Sequence, residues 1–400
     1  MIRFALILMF AVAAASELDA SFDCLGQRCP EIRIAGTTAA TLPGGERSPF
    51  GGFADASVRR DPETGRLWMA YAWPSLQVDR AGSRAALHPQ VDIHLAASDD
   101  GGTSWRFISS LWPARPARSP NRSAGRWSYE VPNLLPIVTR DGVLWYGARL
   151  EYFLPDDGGF STRPPGSFRI LISRASSAQA LAEAPATRLG SIATGPEWGI
   201  DFNLARLSDK TTHCGLWNEP ALFHDGHELF LALSCMAFHR RTPDLERSDL
   251  MLFATPAAGD PASWKWRFAG VLASAVEARE LGGEKLTQIE ITRGRDGSLL
   301  AIVTPDTWSA GAGDFVHHGC RAVALEPTGS SWRFRRRANG ELDVRATVIA
   351  SDAGPEGTAA CTYDPASSTG IILTKRKKPG ASLNRAKGLT ATLHRTGLHP

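Results

Sequence analysis

The sequence predicts an all-β fold assembled from repeated four-stranded antiparallel sheets. Three observations carry that prediction: one hairpin pattern recurs five times along 400 residues, turn formers are abundant (Gly 38, Pro 26), and long helical patterns are scarce. Each hairpin is an apolar strand, a turn on Asp-Gly or Asp-Pro, and a second strand rich in Leu, Trp, Tyr and Ala. The first joins 55–60 to 67–71 through Asp61-Pro62, and the second joins 133–139 to 143–146 through Asp141-Gly142. The third joins 219–223 to 229–233 through Asp225-Gly226, and the fourth joins 288–292 to 299–303 through Asp296-Gly297. In the fifth, 358–363 turns at Asp364-Pro365 and continues as 371–373. An Asp at such turns hydrogen-bonds the following backbone and Gly supplies positive φ, so these five aspartates read as turn formers.

The turn aspartates lie 80, 84, 71 and 68 residues apart, room for two further strands in each repeat. Third strands are expected at 92–97, 168–173, 249–255 and 319–325, and outer strands at 106–108, 264–268 and 331–334. Four strands in each of five repeats describe a five-bladed β-propeller. An N-terminal strand around 31–41 completes the last blade. A six-bladed ring is the alternative, with a degenerate blade in 150–215.

The charge balance of +3 is small and dispersed, which argues against nucleic acid as a partner. Lys375-Arg376-Lys377-Lys378, the one basic run, reads as a solvated hairpin tip. Arg3, an apolar stretch over 4–15 and small residues at Ala13-Ala14-Ala15-Ser16 match a cleaved export signal, too short to span a membrane. The expected organisation is a leader over 1–20 and one propeller domain over 21–400, secreted or periplasmic, monomeric and without a membrane span. Six cysteines in an exported chain favour disulfides. Cys214 and Cys235 flank the Asp225-Gly226 turn and are expected to pair. Cys24 with Cys29 and Cys320 with Cys361 complete the set. Histidines show no ligand spacing beyond His317-His318, so neither a metal nor a cofactor is expected.

Residues 98–105 read Ser-Asp-Asp-Gly-Gly-Thr-Ser-Trp. This octet resembles the Asp-box, S-x-D-x-G-x-T-W, of sialidase-like propellers with their bacterial neuraminidase repeats. The resemblance implies a stiff turn between outer strands, away from any reaction centre. The chain departs from sialidases in having one clear box and no Phe/Tyr-Arg-Ile-Pro opening.

In a propeller, the first strand of each blade lines the central channel. Asp55 and Glu219 each lie six residues before their turn aspartate. Glu290 shares that offset, but its turn looks longer, which leaves Gln288 as the other equivalent. Paired carboxylates across a channel suit glycosidic hydrolysis, one donating a proton and the other acting as base or nucleophile. Trp217-Asn218-Glu219-Pro220-Ala221-Leu222-Phe223 resembles the blade opening of five-bladed glycoside hydrolases of the arabinanase and β-xylosidase type. That resemblance implies Glu219 as acid and Asp55, in Phe53-Ala54-Asp55, as base. Glu130, Arg59, Arg149, Arg321, Trp217, His213, Gln288, Glu290 and Tyr363 are candidate substrate contacts, with Asp201 as a further acidic candidate. Trp198 and Trp308 join Trp217 as candidate sugar platforms. The expected function is exported glycoside hydrolysis on a glycan, and a non-catalytic carbohydrate- or protein-binding propeller is the alternative.

Overall fold

A computed structural model describes residues 21–37, 50–79, 86–156, 166–191, 198–239, 242–311, 313–354, 357–376 and 389–400. The leader expected over 1–20 lies outside them, as do Lys377 and Lys378. The described chain is all-β and mostly antiparallel, and its α-helix is the short Ala275–Glu280. No helix among the described residues is long and apolar enough to cross a membrane.

Five sheet units follow one another along the chain. The first runs Ala54–Arg60, Leu67–Asp79, Ala86–Ser98, Trp105–Trp112, and the second Ala124–Thr139, Gly142–Pro155, Phe168–Ala175, Ala186–Gly190. In the third, Leu216–His224, Glu228–His239, Leu250–Pro256 and Arg267–Ala273 lie in order. Lys285–Arg293, Leu299–Ser309, Cys320–Thr328 and Val344–Ile349 form the fourth, and Gly357–Thr362, Ile372–Arg376 and Leu389–Arg395 form the fifth. The last two units are continuous, because Asp314–His318 pairs with both Leu299–Ser309 and Gly357–Thr362. All five predicted hairpins are present. The described part of 150–215 belongs to the second sheet and its 3-10 turns.

The turn chemistry follows the sequence closely. Asp61, Asp225, Asp296 and Asp364 each accept backbone N–H groups two or three residues ahead. At Asp100, Oδ1 accepts from the Ser104 N–H at 2.9 Å and Oδ2 from the Ser104 hydroxyl at 2.6 Å, bonds that hold its carboxyl down to about 2. Gly101 and Gly102 carry φ of 73° and 94°, and Trp105 packs buried beneath them, donating Nε1–H to the Gly102 carbonyl at 3.0 Å.

One outer strand differs from expectation. Residues 331–334 pair only with the far half of Cys320–Thr328, while Val344–Ile349 pairs with its near half. Trp-x-Phe spacing marks an amphipathic edge but cannot say which of two edge segments covers which half of a long strand.

The first strands pack against one another in a cycle: Ala54–Arg60 against Ala124–Thr139, that strand against Leu216–His224, then Lys285–Arg293, then Gly357–Thr362, and back to Ala54–Arg60. Their shared interior is polar. Glu290 Oε1 pairs with the Arg59 guanidinium, and both Glu290 oxygens accept from Asn133 Nδ2 at 3.2 Å. Thr362 Oγ1 reaches Glu290 at 3.4 Å and accepts from the Val58 N–H at 2.9 Å, while Asn133 Oδ1 accepts from the Leu222 N–H at 2.8 Å. Each of the five strands is thereby tied to this node. Burial pushes the Glu290 carboxyl up, and Arg59 pulls it back.

Both ends of the described chain meet in the fifth sheet. Residues 50–52 pair in parallel with 389–391, and Glu31 bridges to His394. Phe22–Asp23 adds to the outer edge of the fourth sheet and Ile34–Ala35 to that of the first, with 38–49 outside the described residues. The three disulfides are Cys24–Cys29, Cys214–Cys235 and Cys320–Cys361, the last joining the fourth and fifth sheets as expected.

Removing one partner of a buried ion pair strands the other. Glu290→Ala should therefore lower the free energy of unfolding in urea by about 3–5 kcal/mol. Because the two costs share one cause, Arg59→Met combined with Glu290→Met should cost less than the sum of the singles. A Glu290→Ala protein as stable as the parent would refute the central role given to this node.

Candidate active site

Every first strand carries one non-glycine residue with positive φ: Asp55 (50°), Val131 (49°), Glu219 (57°), Gln288 (47°) and Ala360 (52°). Each coincides with a bulge in which two residues face one on the partner strand. Asp55 and Ala56 face Tyr71, Val131 and Pro132 face Arg149, and Glu219 and Pro220 face Leu233. Gln288 and Ile289 face Val303, and Ala360 and Cys361 face Leu373. A bulge re-aims a side chain out of the alternation of its strand, and a left-handed residue there is an energetic cost that persists at functional sites. Proline, which has no N–H to give the ladder, occupies the second bulge position twice.

Three of the five re-aimed side chains are polar, and they converge. Gln288 Nε2 donates to Asp55 Oδ1 at 3.1 Å, and the Arg376 guanidinium lies 3.5 Å from the same oxygen. These are donors suited to a carboxylate. Glu219 is 8 % exposed and Asp55 and Gln288 6 % each, so all three are buried. Burial pushes the Glu219 carboxyl up to about 8, with the charges of Asp55 and Glu130 adding to the rise and Lys285 and Arg376 opposing it. Glu130 itself accepts from the Tyr152 hydroxyl at 2.7 Å.

Lys285, 1 % exposed, starts the same inner strand as Gln288. Burial pulls its ammonium down, while Asp306 and Glu219 hold it up. Its Nζ has no hydrogen-bond partner among the described residues, and the same is true of Glu219 Oε2, Gln288 Oε1 and Asn218 Oδ1. Buried polar atoms left unpaired call for an explanation, and ordered water or a ligand would supply the partners here. Asp306 stands behind Lys285, accepting from Thr287 Oγ1 at 2.6 Å and lying 2.7 Å from His317 Nδ1.

The candidates thus divide. Asp55, Glu219, Gln288 and Glu130 come together. Gln288, rather than Glu290, occupies the bulge, and Glu290 and Arg59 are spent on each other in the axial node. Arg149 is buried between the first and second sheets, its guanidinium 4.0 Å over Trp112 and bonded to Ser173. Trp217 is buried edge-on to Phe253, and Trp198 packs with Trp127 and Phe153, so neither indole offers a free face. Trp308 is half-buried, edge-on to Phe315. His213 Nε2 is engaged by the Arg247 carbonyl, and Tyr363, wholly buried, reaches His399. Asp201 pairs with Arg188 at an exposed sheet edge. His213, Cys214 and Cys235 have metal-like proximity, but both sulfurs are committed to a disulfide.

The described part of the basic run, Lys375 and Arg376, is no solvated tip. Lys375 is buried and donates to Asp352 at 2.8 Å, and Arg376 points at Asp55. Sequence reasoning also missed Lys285. A lysine opening a channel strand that goes on to carry Gln288 and Glu290 was the available signal.

No family model and no curated protein matches the sequence. Among solved structures, the chain is similar to an α-L-arabinofuranosidase of Podospora anserina crystallised with cellotriose, with 10 % identity over 91 % of this chain and 95 % of that one and a TM-score of 0.45. It is also similar to the Bacillus subtilis arabinanase, with 9 % identity over 87 % and 94 % and a TM-score of 0.42. A Dyadobacter fermentans protein of unknown function gives 12 % identity over 92 % and 99 % and a TM-score of 0.44.

Because folded Glu219 holds its proton more tightly than the unfolded chain does, its contribution to stability is complete below about pH 4.5 and is lost as pH rises to about 8. Lys285 is shifted the opposite way, so its cost is carried throughout that range and relieved above it. Glu219→Gln should therefore flatten the fall in Tm between about pH 5 and 8. Parallel wild-type and variant profiles would show that Glu219 ionises normally.

Proposed function

We propose that residues 21–400 form a single five-bladed propeller behind an export leader, and that the protein hydrolyses a glycosidic bond with Glu219 as proton donor and Asp55 as base or nucleophile. The cyclic packing of the five inner strands, the pairing of both chain ends in the fifth sheet and the three disulfides support the architecture and the export. One observation carries the chemistry. Two carboxyls on left-handed bulges of different strands are brought within electrostatic reach, and one is held protonated by burial while the other is supplied with donors.

Such a pair divides the work of glycoside cleavage. Glu219, protonated at neutral pH, gives its proton to the departing glycosidic oxygen. Asp55 supplies the electron pair, either by taking a proton from water or by attacking the anomeric carbon. Lys285 and Arg376 oppose protonation at rest and stabilise the Glu219 carboxylate once the proton has left. Gln288 fixes the Asp55 carboxyl. The sialidase-like part of the resemblance rests on the turn at 98–105, which sits at the opposite end of the first sheet from Asp55 and takes no part in this scheme.

The test is a screen of the purified protein on aryl-glycosides and plant or host polysaccharides beside two variants. Glu219→Gln should lower kcat about 10²–10⁴-fold on substrates with poor leaving groups and far less on dinitrophenyl glycosides, which need no proton. Asp55→Asn should lower both alike. Sugar release unchanged in Glu219→Gln removes the assignment, and no release from any substrate favours a binding propeller.

A further inference from the structure

A cavity, about 400 Å³ in volume, opens between the fourth and fifth sheets at the end where the inner strands begin. Its wall includes Arg321, His317, His318, Thr358 and the backbones of Gly319 and Gly357, and among the described residues no acidic side chain lines it. Arg321 is the centre of its chemistry. Its Nη1 donates to the carbonyls of His318 and Cys320 at 3.2 Å each, which fixes the plane of the guanidinium. The Nε and Nη2 donors make no hydrogen bond within the described residues, and no carboxylate pairs with this arginine. Burial accordingly pulls its pKa down without any opposing charge. Gly282 flanks the free edge, and a Cβ there would stand 3.9 Å from Nη2, an ordinary contact. Across the cavity wall, Thr358 is 2 % exposed and its hydroxyl has no partner among the described residues.

A half-buried guanidinium with one edge committed and the other empty is shaped for two parallel hydrogen bonds to an oxyanion. The Thr358 hydroxyl lies in the same wall. Acids around the wall are already engaged: Asp306 holds Thr287 and His317, Glu284 accepts from the Trp308 backbone, and Asp23 accepts from Ser351 of the wall itself. His317 is the link to the reaction centre, because the Asp306 that holds it is also the counter-charge of Lys285, which faces Glu219.

We propose that this cavity is an oxyanion subsite that takes the carboxylate of a uronic acid or the sulfate ester of a sulfated sugar, so that the glycan recognised is acidic. The choice of a glycan rests on the hydrolase reading above, but the oxyanion site itself does not. Binding without turnover separates the two.

The full exported chain is titrated by calorimetry at low ionic strength with sodium D-glucuronate, sodium sulfate and neutral D-glucose. At least one of the two anions should bind and glucose should not, and the tighter anion identifies which group the site takes. Arg321→Gln should weaken that binding about tenfold or more, since a charge-assisted bidentate contact is lost. Arg321→Lys, which keeps the charge but not the fork, should fall between. Thr358→Val should weaken binding by a smaller factor and serves if Arg321→Gln does not fold. Glu219→Gln should bind the anion as the parent does, even where it hydrolyses nothing. The proposal is overturned if neither anion binds, if folded Arg321 variants bind unchanged, or if Glu219→Gln abolishes the binding, which would move the anion to the Glu219 site.

Discussion

The Glu290 carboxylate at the axis is the constraint on which the remaining structure depends. It is contacted by Arg59, Asn133 and Thr362 from three other inner strands, and Asn133 extends the link to Leu222 on the last. A hydrophobic axis would hold five strands together with little preference for how far each slides along its neighbours. Directional hydrogen bonds remove that freedom, because a strand shifted by one residue would turn its polar group away and leave Glu290 buried and unpaired. Buried ion pairs contribute little net stability, but the penalty for mismatching them is large. Here that penalty fixes the relative height of all five strands.

The height matters because the bulges lie a few residues along the same strands. Five left-handed residues, one on each inner strand, re-aim their side chains, and three of these are polar and meet neighbours from other strands. Val131 and Ala360 bring no polar group, which makes the cluster lopsided: acids from the first and third sheets, an amide from the fourth, with Lys285 and Arg376 as the nearby cations. The unsatisfied atoms of Glu219, Lys285 and Gln288 are tolerable only where a strained and rigid frame holds them apart from one another.

Much of this was legible in the residues. Turn aspartates, alternating apolar runs and cysteine spacing are local signals, and the five hairpins and three disulfides follow from them. The bulge position was legible only where turn length happened to repeat. Glu219 and Asp55 lie six residues before their turn aspartates, but Gln288, Val131 and Ala360 lie eight, ten and four. Counting from the turn therefore selects Glu290, a residue on the correct strand at the wrong level. Tryptophans misled for another reason. An indole suits a sugar face and a core equally, and only the packing of Trp217 on Phe253 or Trp198 on Trp127 distinguishes the two. Arg376 and Lys375 sit in a run whose charge suggests solvent, yet partners distant in sequence, Asp55 and Asp352, draw both inward.

The meeting of the two chain ends in the fifth sheet sets a condition on how the molecule comes into being. Among the described residues, Glu31 and the backbone of 50–52 find their ladder partners on Leu389–Arg395, a strand made long after them. Early segments of a chain emerging residue by residue must therefore wait with open edges until that strand arrives. The same order of events holds for the covalent tie between the last two sheets: Cys320 must wait for Cys361 before an oxidant can join them.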